Sequence, residues 1–494
     1  VSRDWPRWLW LLGPAILLLG LFAHPPIVSP DAVEMAAAGG CMWRLPLDAT
    51  ACVGLEPWFW PPAYPLISGL PVALGGDPAV AATVVSVVCW ALLVWPLGAL
   101  LRSLHEQGGA WAAALIAPCL LAIPQLPLQA LMGDARSLAL VACFASASLG
   151  LGPLTRARAL GMGALAGLAC LARPEAVLPA TVLVGYATVV GRSGWALGAC
   201  AALVGPYVGL LSWQSGGLAI TSRGWQGGVT SWLATLPAEW VKHDLAAGAW
   251  GAPLRASLTT DPVAATHGAT LDPTEVAAWM RVVFVETLPT WLYGTGLAGL
   301  VLARKRPRAL ILVGLAALPS AVFMLMPQAQ DPLLPLNNLQ PMVVGLAALA
   351  VVALGAGVAW VQGRWALAGP MPGIVLAGGL FAWGVRPGPR PDFTAPPSFL
   401  AASNWLASEH PDATVGASLV SAPVPLRAGV GRRHLPAPWS APHWLRHDPP
   451  DLVVLSSQDL PGSLRTARTL APHLQALVVF EGAEGWVVVY EVAP

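Results

Sequence analysis

The chain has 494 residues, of which 56% are hydrophobic and only 10% charged, with a net charge of +1 and a mean hydropathy of +0.64. Soluble domains carry about 25% charged residues and stop enlarging one core near ~250–300 residues. A water-soluble globule is therefore excluded, the bilayer is the solvent that can take up this apolar surface, and no basic face is left for nucleic acid.

The first apolar run, Trp8 to Val28, is long enough to span a membrane and no small-residue cleavage site follows it, so it reads as a retained helix rather than a leader. Further apolar segments lie near 78–101, 110–130, 135–152, 159–172, 175–191, 195–212, 284–303, 309–326, 338–361 and 365–385, giving eleven predicted spans. With Arg3 and Arg7 placed on the cytoplasmic side and the crossings alternating, the inner connections collect Arg102, Arg156 and Arg158, Arg192, the "RKRPR" of 304–308, and Arg364. The outer turns are poor in Lys and Arg, as the positive-inside rule requires. The block 159–191 decides the scheme. As one helix it would put "RKRPR" outside, whereas a hairpin broken at Pro174 keeps the charge rule.

The outer side then receives the segments with chemical character. They are loop 29–77, the turn "LMGDARS" (131–137), the turn around "RPE" (173–175), loop 213–283, the turn 327–338, and the chain after about 385. Loop 213–283 carries Trp225, Trp232, Trp240 and Trp250 amid Gly and Pro, which reads as helices lying at the interface. Its His243 and His267 have no second ligand at zinc spacing. The recurrent Asp-Pro pairs at Asp77, Asp261, Asp272, Asp331 and Asp448 are turn punctuation.

After residues 386–397, a Pro-rich linker, the composition becomes soluble. "SFLAASNWLASEHP" reads as an amphipathic helix, "ATVGASL" and "DLVVLSS" as buried strands, and "LQALVVFEGAEGWVVVYEV" as a hairpin turning at Gly. The expected organisation is thus an α-helical membrane domain over 1–385 and a small periplasmic α/β domain over 398–494. That second domain shows no phosphate loop, metal spacing or nucleophile elbow and reads as a lid or docking domain.

Three successive outer turns present ionisable groups at the membrane boundary, where such groups are expensive and functional by default. They are Asp31 with Glu34, Asp134 with Arg136, and Arg173 with Glu175. Each alone fits a solvated loop residue; together they fit a site that binds a phosphorylated headgroup and deprotonates a hydroxyl. Of the cysteines, Cys89, Cys119, Cys143, Cys170 and Cys200 fall in predicted helices as small packing residues. Cys41 and Cys52 share the first outer loop, where an oxidising compartment permits a disulfide, the alternative being two free thiols.

The order of these features resembles the GT-C superfamily of integral-membrane glycosyltransferases, in the branch with the protein O-mannosyltransferases and the aminoarabinose transferases of lipid A. Asp31 follows helix one; "WPPAYPLISGLP" (60–71, with Tyr64) precedes helix two; Asp134, "RPE" and "LLPLNNLQP" (333–341) follow in turn, and an outer α/β domain ends the chain. The resemblance implies transfer of a sugar, usually with inversion, from a polyprenyl-phosphate-linked donor to a lipid, protein or glycan acceptor on the periplasmic face of the cytoplasmic membrane. It implies Asp31 as general base or acceptor-orienting carboxylate, Asp134 as a second acidic site residue, and Arg173 as a ligand of the lipid phosphate. Glu34, Tyr64, Arg136 and Glu175 join as substrate-binding candidates. The sequence departs from the pattern at "QAQDPLLP", which has Gln330 and Asp331 where an Arg-Tyr pair is usual, and Arg223 is the substitute cation. Paired carboxylates can hold Mg²⁺ or Mn²⁺, and family members differ here, so a divalent ion stays open. The rival readings are a transporter or flippase, which expects an internal repeat and midplane charges, and a non-catalytic scaffold, which expects the acids to point apart.

Overall fold

The computed structural model describes residues 5–23, 30–44, 61–123, 125–215, 281, 288–325, 339–364, 369–386, 397–417, 423–428, 430–434, 450–456, 470–482 and 485–492. Helices α1 (Trp5–Leu11) and α2 (Gly13–Leu21) make up the first apolar segment. Leu12 N donates to Trp8 O and Ile16 N to Leu12 O, so the two run on from one another.

The expected loop 29–77 contains two helices, α3 (Pro30–Arg44) and α4 (Ala63–Ala73). At 15 and 11 residues they are too short to register in a reading tuned to spans of about 20. They cross at two glycines: a Cβ on Gly39 would sit 1.7 Å from Pro65 O, and one on Gly69 would sit 2.1 Å from Gly39 C. Beyond the crossing, Arg44 donates to Val72 O at 2.7 Å and to Ala73 O at 3.4 Å, and Trp43 Nε1 donates to Leu66 O at 2.7 Å. Val72 and Ala73 belong to the last turn of α4, where helix carbonyls have no partner of their own.

Helix α5 (Pro78–Leu104) starts on Asp77, whose carboxylate accepts from Val80 N at 2.9 Å, with Pro78 at the first helical position. Its two faces differ. Leu93, Leu97, Leu100, Leu101 and Leu104 are buried, while Val80, Val84, Val88, Leu92 and Trp95 stand exposed at intervals of three and four residues. An exposed apolar stripe of this length is a lipid-facing surface, since water would penalise it. Helix α6 (Gly109–Leu121) is buried all round from Trp111 to Leu121 and forms the middle of the bundle. Instead of continuing as one span to residue 130, the chain bends by 77° into α7 (Gln125–Leu131). Ile123 precedes a proline and is disfavoured in the helical region, which is where the rod ends.

Helices α8 (Arg136–Leu149), α9 (Arg156–Ala172) and α10 (Val177–Gly191) follow. Arg173, ahead of Pro174, is extended at φ −149° and ψ 137°, and a short 3₁₀ turn over Pro174–Ala176 leads into α10. Proline steric pressure on the preceding residue accounts for the break, so 159–191 is a hairpin. Then come α11 (Trp195–Ser215), α12 (Trp291–Ala303), α13 (Pro307–Ala317) with a 3₁₀ extension over Leu318–Leu325, α14 (Gln340–Arg364) and α15 (Met371–Gly384). Among the described residues three helices are by themselves long and apolar enough to cross a bilayer, namely Val80–Leu104, Pro174–Gly191 and Gln340–Arg364. The bent α6–α7 pair makes up to 4, and shorter apolar helices such as α8 and α12 have 10–17 residues. Among the described residues, length alone thus qualifies only those 3, or 4 with the bent pair, of the eleven expected helices as spans.

Helix direction separates the molecule into two ends. At one, Arg102 lies 3.9 Å over the Trp10 ring and Arg156 lies 3.8 Å over the Trp195 ring. There Arg306 pairs with Glu106, and Arg308 donates to Gly150 O at 2.9 Å and Gly152 O at 2.5 Å. The other end holds the starts of α5 and α14 and the finish of α9. With 27 residues in α5, the two are about 40 Å apart. Helix α15 begins beside Gln362, which donates to Gly369 O at 2.7 Å, and finishes at Gly384, tight against Leu121. The chain therefore leaves the bundle from the end opposite the arginines.

The C-terminal part has α16 (Pro397–Glu409), β1 (Thr414–Ala417), α17 (Pro423–Ala428), β2 (Gly431–His434), β3 (Leu452–Ser456), β4 (Leu474–Gly482) and β5 (Gly485–Val492). The strands form one sheet in the order β2-β1-β3-β5-β4. Strand β1 is parallel to β2 and β3, and β5 is antiparallel to both β3 and β4. Phe399, Ala402 and Leu406 of α16 pack with Val415, Val454 and Val489 into a core of its own. Asp451 ties β1 to β3 through the Thr414 amide at 2.7 Å and its hydroxyl at 2.8 Å.

The α3–α4 crossing predicts a clear asymmetry between glycines. Gly69→Ala is expected to lower the thermal midpoint of the detergent-solubilised protein by several degrees, for a loss of about 1–3 kcal/mol. Gly357→Ala, with nothing within 4 Å of the added Cβ, leaves it unchanged or slightly raised.

Candidate active site

The site is built around a left-handed residue. Gly133 has φ +73°, and a Cβ there would meet Ala82 C at 3.0 Å and Ala82 Cβ at 3.1 Å. Only glycine combines that conformation with so close an approach. The buried Tyr64 of α4 donates its hydroxyl to this junction, where the carbonyls of Gly133 and of Ala82 (2.8 Å) both face it. One phenol thus joins α4, α5 and the α7–α8 turn. Burial, with the Asp134 charge second, pushes the Tyr64 pKa well above its usual value, so the phenol keeps its proton. A bond of 2.6 Å between the Ser86 and Ser137 hydroxyls pins α5 to α8 a turn further on.

The turn delivers Asp134, which is 4% exposed. Its carboxylate accepts from the Arg136 amide at 3.1 Å and pairs with the Arg136 guanidinium. From the α9–α10 hairpin comes Arg173, 2% exposed, whose Nη2 lies 3.3 Å from Asp134 Oδ1 and 3.4 Å from Oδ2. Arg173 Nε is 3.8 Å from Glu175 Oε2. Two carboxylates and two guanidiniums therefore form a chain at the polar end of an apolar bundle. Burial alone would raise the Asp134 pKa; Arg136 first, then Arg173 and the Arg136 amide outweigh it and hold the carboxyl below its ordinary 3.8.

A cavity opens against this chain. It is lined by Arg136, Arg173 and Glu175, by Cys143 of α8, by Ser320 of the 3₁₀ extension and by Gln340 at the start of α14. The hairpin break at Pro174 and the start of α14 thus bring residues 136, 175 and 340 to one wall. Ser320 and Gln340 carry no sequence signal of a site, and Cys143, expected as a packing residue of its helix, also reaches the cavity wall. Gln340 lay inside the quoted "LLPLNNLQP" but is uncharged, and a buried amide gives no signal until its surroundings are known.

Asp134, Arg136, Arg173, Glu175 and Tyr64 are therefore gathered in one place. Asp31 and Glu34 occupy the first two turns of α3, and their side chains lie outside the described structure. The backbone still locates them: Ala32 and Ala36 pack on Ala82, the residue that Gly133 touches. Arg223, Gln330, Asp331, His243 and His267 lie outside the described residues, as does Cys52; Cys41 is disulfide-bonded. Among the described residues no group of three or more His, Cys, Asp or Glu can hold a metal ion. Asp134 faces two guanidiniums, which is the wrong electrostatic setting for Mg²⁺ or Mn²⁺.

No protein-family model matches the sequence, and no curated protein matches it. Solved structures do. The apo structure of ArnT from Cupriavidus metallidurans aligns with 99% of this chain and 98% of its own, at 16% identity and a TM-score of 0.50. The Archaeoglobus fulgidus oligosaccharyltransferase tethered with an acceptor peptide aligns with 100% of this chain and 74% of its own, at 10% identity and a TM-score of 0.52. AglB from Archaeoglobus fulgidus, in complex with an inhibitory peptide and a dolichol-phosphate, covers 83% and 59%, at 13% identity and 0.50. The chain has the GT-C fold. It is a membrane protein with the architecture of these glycosyltransferases, and the likeness runs along the whole chain.

The charge chain carries a stability prediction. Asp134→Asn leaves two guanidiniums beside a neutral amide, and breaking a buried pair in this way costs about 3–5 kcal/mol, read as a lowered thermal midpoint. Because the native Asp134 pKa lies below the unfolded one, its stabilisation is present above pH 3.8 and is lost as pH falls through the native value. The difference in midpoint between wild type and Asp134→Asn is therefore constant at neutral pH and shrinks below pH 3.8.

Proposed function

We propose that this protein is a glycosyltransferase that moves a sugar from a polyprenyl-phosphate-linked donor to an acceptor on the periplasmic face of the cytoplasmic membrane. The observation that carries the reading is the buried Asp134–Arg173 pair, with Arg136 and Glu175, beside a cavity at the end of a GT-C bundle away from its arginine-rich end. The positive-inside rule places the arginine-rich end, and with it the N-terminus, in the cytoplasm. The cavity and the C-terminal α/β domain then lie outside, where soluble nucleotide sugars are absent and a membrane-borne donor is the suitable substrate. A neighbour with this fold binds dolichol-phosphate, which supports that donor class.

Chemistry divides between the two acids. A carboxylate held below its ordinary pKa by two guanidiniums is a weak base, so Asp134 serves by fixing Arg136 and Arg173. Asp31, on the neighbouring first turn of α3, takes the proton of the acceptor hydroxyl. The freed oxygen bonds to the anomeric carbon as the bond from that carbon to the phosphate oxygen breaks, and polyprenyl phosphate leaves with inversion. Arg173 spends its guanidinium on Asp134 and Glu175, which suits a positioning residue better than a direct phosphate ligand. Arg136, at 18% side-chain exposure, is the better-placed cation for the donor phosphate, with Arg223 as a second. Acceptors of lipid, protein or glycan type are all compatible with a site open on the outer side.

The test is transfer by the purified full chain in nanodiscs from a set of polyprenyl-phosphate sugars to endogenous outer-membrane or envelope acceptors. Asp31→Asn is expected to reduce turnover about 10²–10⁴-fold with an unchanged thermal midpoint. Full turnover in that variant removes Asp31 as base, and no transfer from any donor returns the chain to a scaffold role.

A further inference from the structure

The cavity has a member whose chemistry the charge chain does not explain. Gln340 is 2% exposed, lines the cavity, and its Oε1 has no hydrogen-bond partner among the described residues. Buried amide oxygens are normally satisfied, because an unmet acceptor loses its water without compensation. Around it, Ser320 donates its hydroxyl to Ala317 O at 2.7 Å and keeps its lone pairs for an incoming donor. Glu175 lines the same wall with its side chain 32% exposed. Arg136, Arg173 and Cys143 also line it, and Ala139, Leu140, Ala176, Pro179 and Pro341 supply apolar surface.

Gln340 Oε1, Ser320 and Glu175 give this part of the wall its acceptors, while Arg136 and Arg173, on the same lining, are donors already engaged by Asp134 and Glu175. A phosphodiester has no hydrogen to offer Gln340 Oε1 and is suited to the Arg136 side of the cavity, and a sugar carboxylate at Gln340 has none either and meets the Glu175 charge besides. Sugar hydroxyls are donors, and apolar side chains suit the C–H face of a pyranose or furanose. The charges of Asp134, Glu175, Arg136 and Arg173 cancel, so an uncharged group brings no unbalanced charge into the cluster.

We infer that Gln340 is a specificity-determining residue whose carboxamide oxygen accepts a hydroxyl of the donor's sugar, and that the cavity selects an uncharged, hydroxyl-bearing sugar. The phosphate of the same donor lies towards Arg136. The inference rests on the glycosyltransferase reading and assigns the sugar class within it.

The experiment uses the full chain in nanodiscs and three probes: polyprenyl-phosphate-mannose, polyprenyl-phosphate-glucuronate and polyprenyl phosphate without sugar. Affinity is read by tryptophan fluorescence. Wild type is expected to bind the mannose donor about ten-fold or more tighter than the other two. Gln340→Leu brings the mannose donor down to the level of bare polyprenyl phosphate, leaves the bare lipid unchanged, and keeps or raises the thermal midpoint of the unliganded protein. Gln340→Glu, which keeps an acceptor, recovers part of the loss. The inference is overturned if Gln340→Leu retains the mannose preference, if it weakens bare polyprenyl phosphate by the same factor, or if the glucuronate donor is preferred. Binding of none of the three by wild type overturns the glycosyltransferase reading itself, and this inference with it.

Discussion

Burial of charge at the end of an apolar bundle is the constraint on which the rest of the site depends. Asp134 and Arg173 are both almost wholly removed from water, and each is tolerable there because of its charged partners, Arg136 and Arg173 for the one, Asp134 and Glu175 for the other. Keeping them together demands that the α7–α8 turn and the α9–α10 hairpin meet. The close contacts around them follow from that demand. Gly133 lets the turn press onto Ala82, and the Tyr64 hydroxyl fastens the junction from α4. Neither feature makes sense as packing alone, since a tyrosine with its hydroxyl buried in a membrane domain needs a partner to offset its desolvation.

The second organising feature is the separation of charge types along the helices. Arginines at one end are held by tryptophan faces, by backbone carbonyls and by Glu106, all of which suit a cation near a headgroup layer. At the other end the guanidiniums are held by carboxylates and lie deep. Helix α5 bridges the two with one face in the core and one apolar face outward. A molecule so built fixes its own orientation in a bilayer and presents its cavity to one side. A transporter reading would need comparable ionisable machinery reachable from both sides; the arginine-rich end instead has exposed cations paired locally.

For a reaction in which a lipid tail stays in the membrane, this layout is economical. The proposed reacting centre lies where the α3 start, the Asp134 turn and the α14 start converge. In such a place a carboxylate keeps its charge only with fixed partners, which Asp134 has in Arg136 and Arg173. The supporting role proposed for Asp134 follows from that pairing, and the role proposed for Gln340 concerns the sugar rather than the phosphate.

Much was legible in the residues alone. A run of about 20 apolar residues has one stable destination, so α5 and α14 were visible as spans, and the distribution of arginines together with the geometry of Pro174 broke 159–191 into a hairpin. Ionisable residues are rare enough here that Asp134, Arg136, Arg173 and Glu175 stood out by type and position. Short helices did not show: α3 and α4 carry no span-length pattern, and what holds them is a glycine crossing between residues 30 positions apart. Nor did the pairing of Asp134 with Arg173, the Tyr64 bonds or the role open to Gln340, because a hydrogen bond between distant segments leaves no local trace. Side-chain type and hydrophobic period are properties of neighbours in the chain; who meets whom at the end of the bundle is decided only when the helices pack.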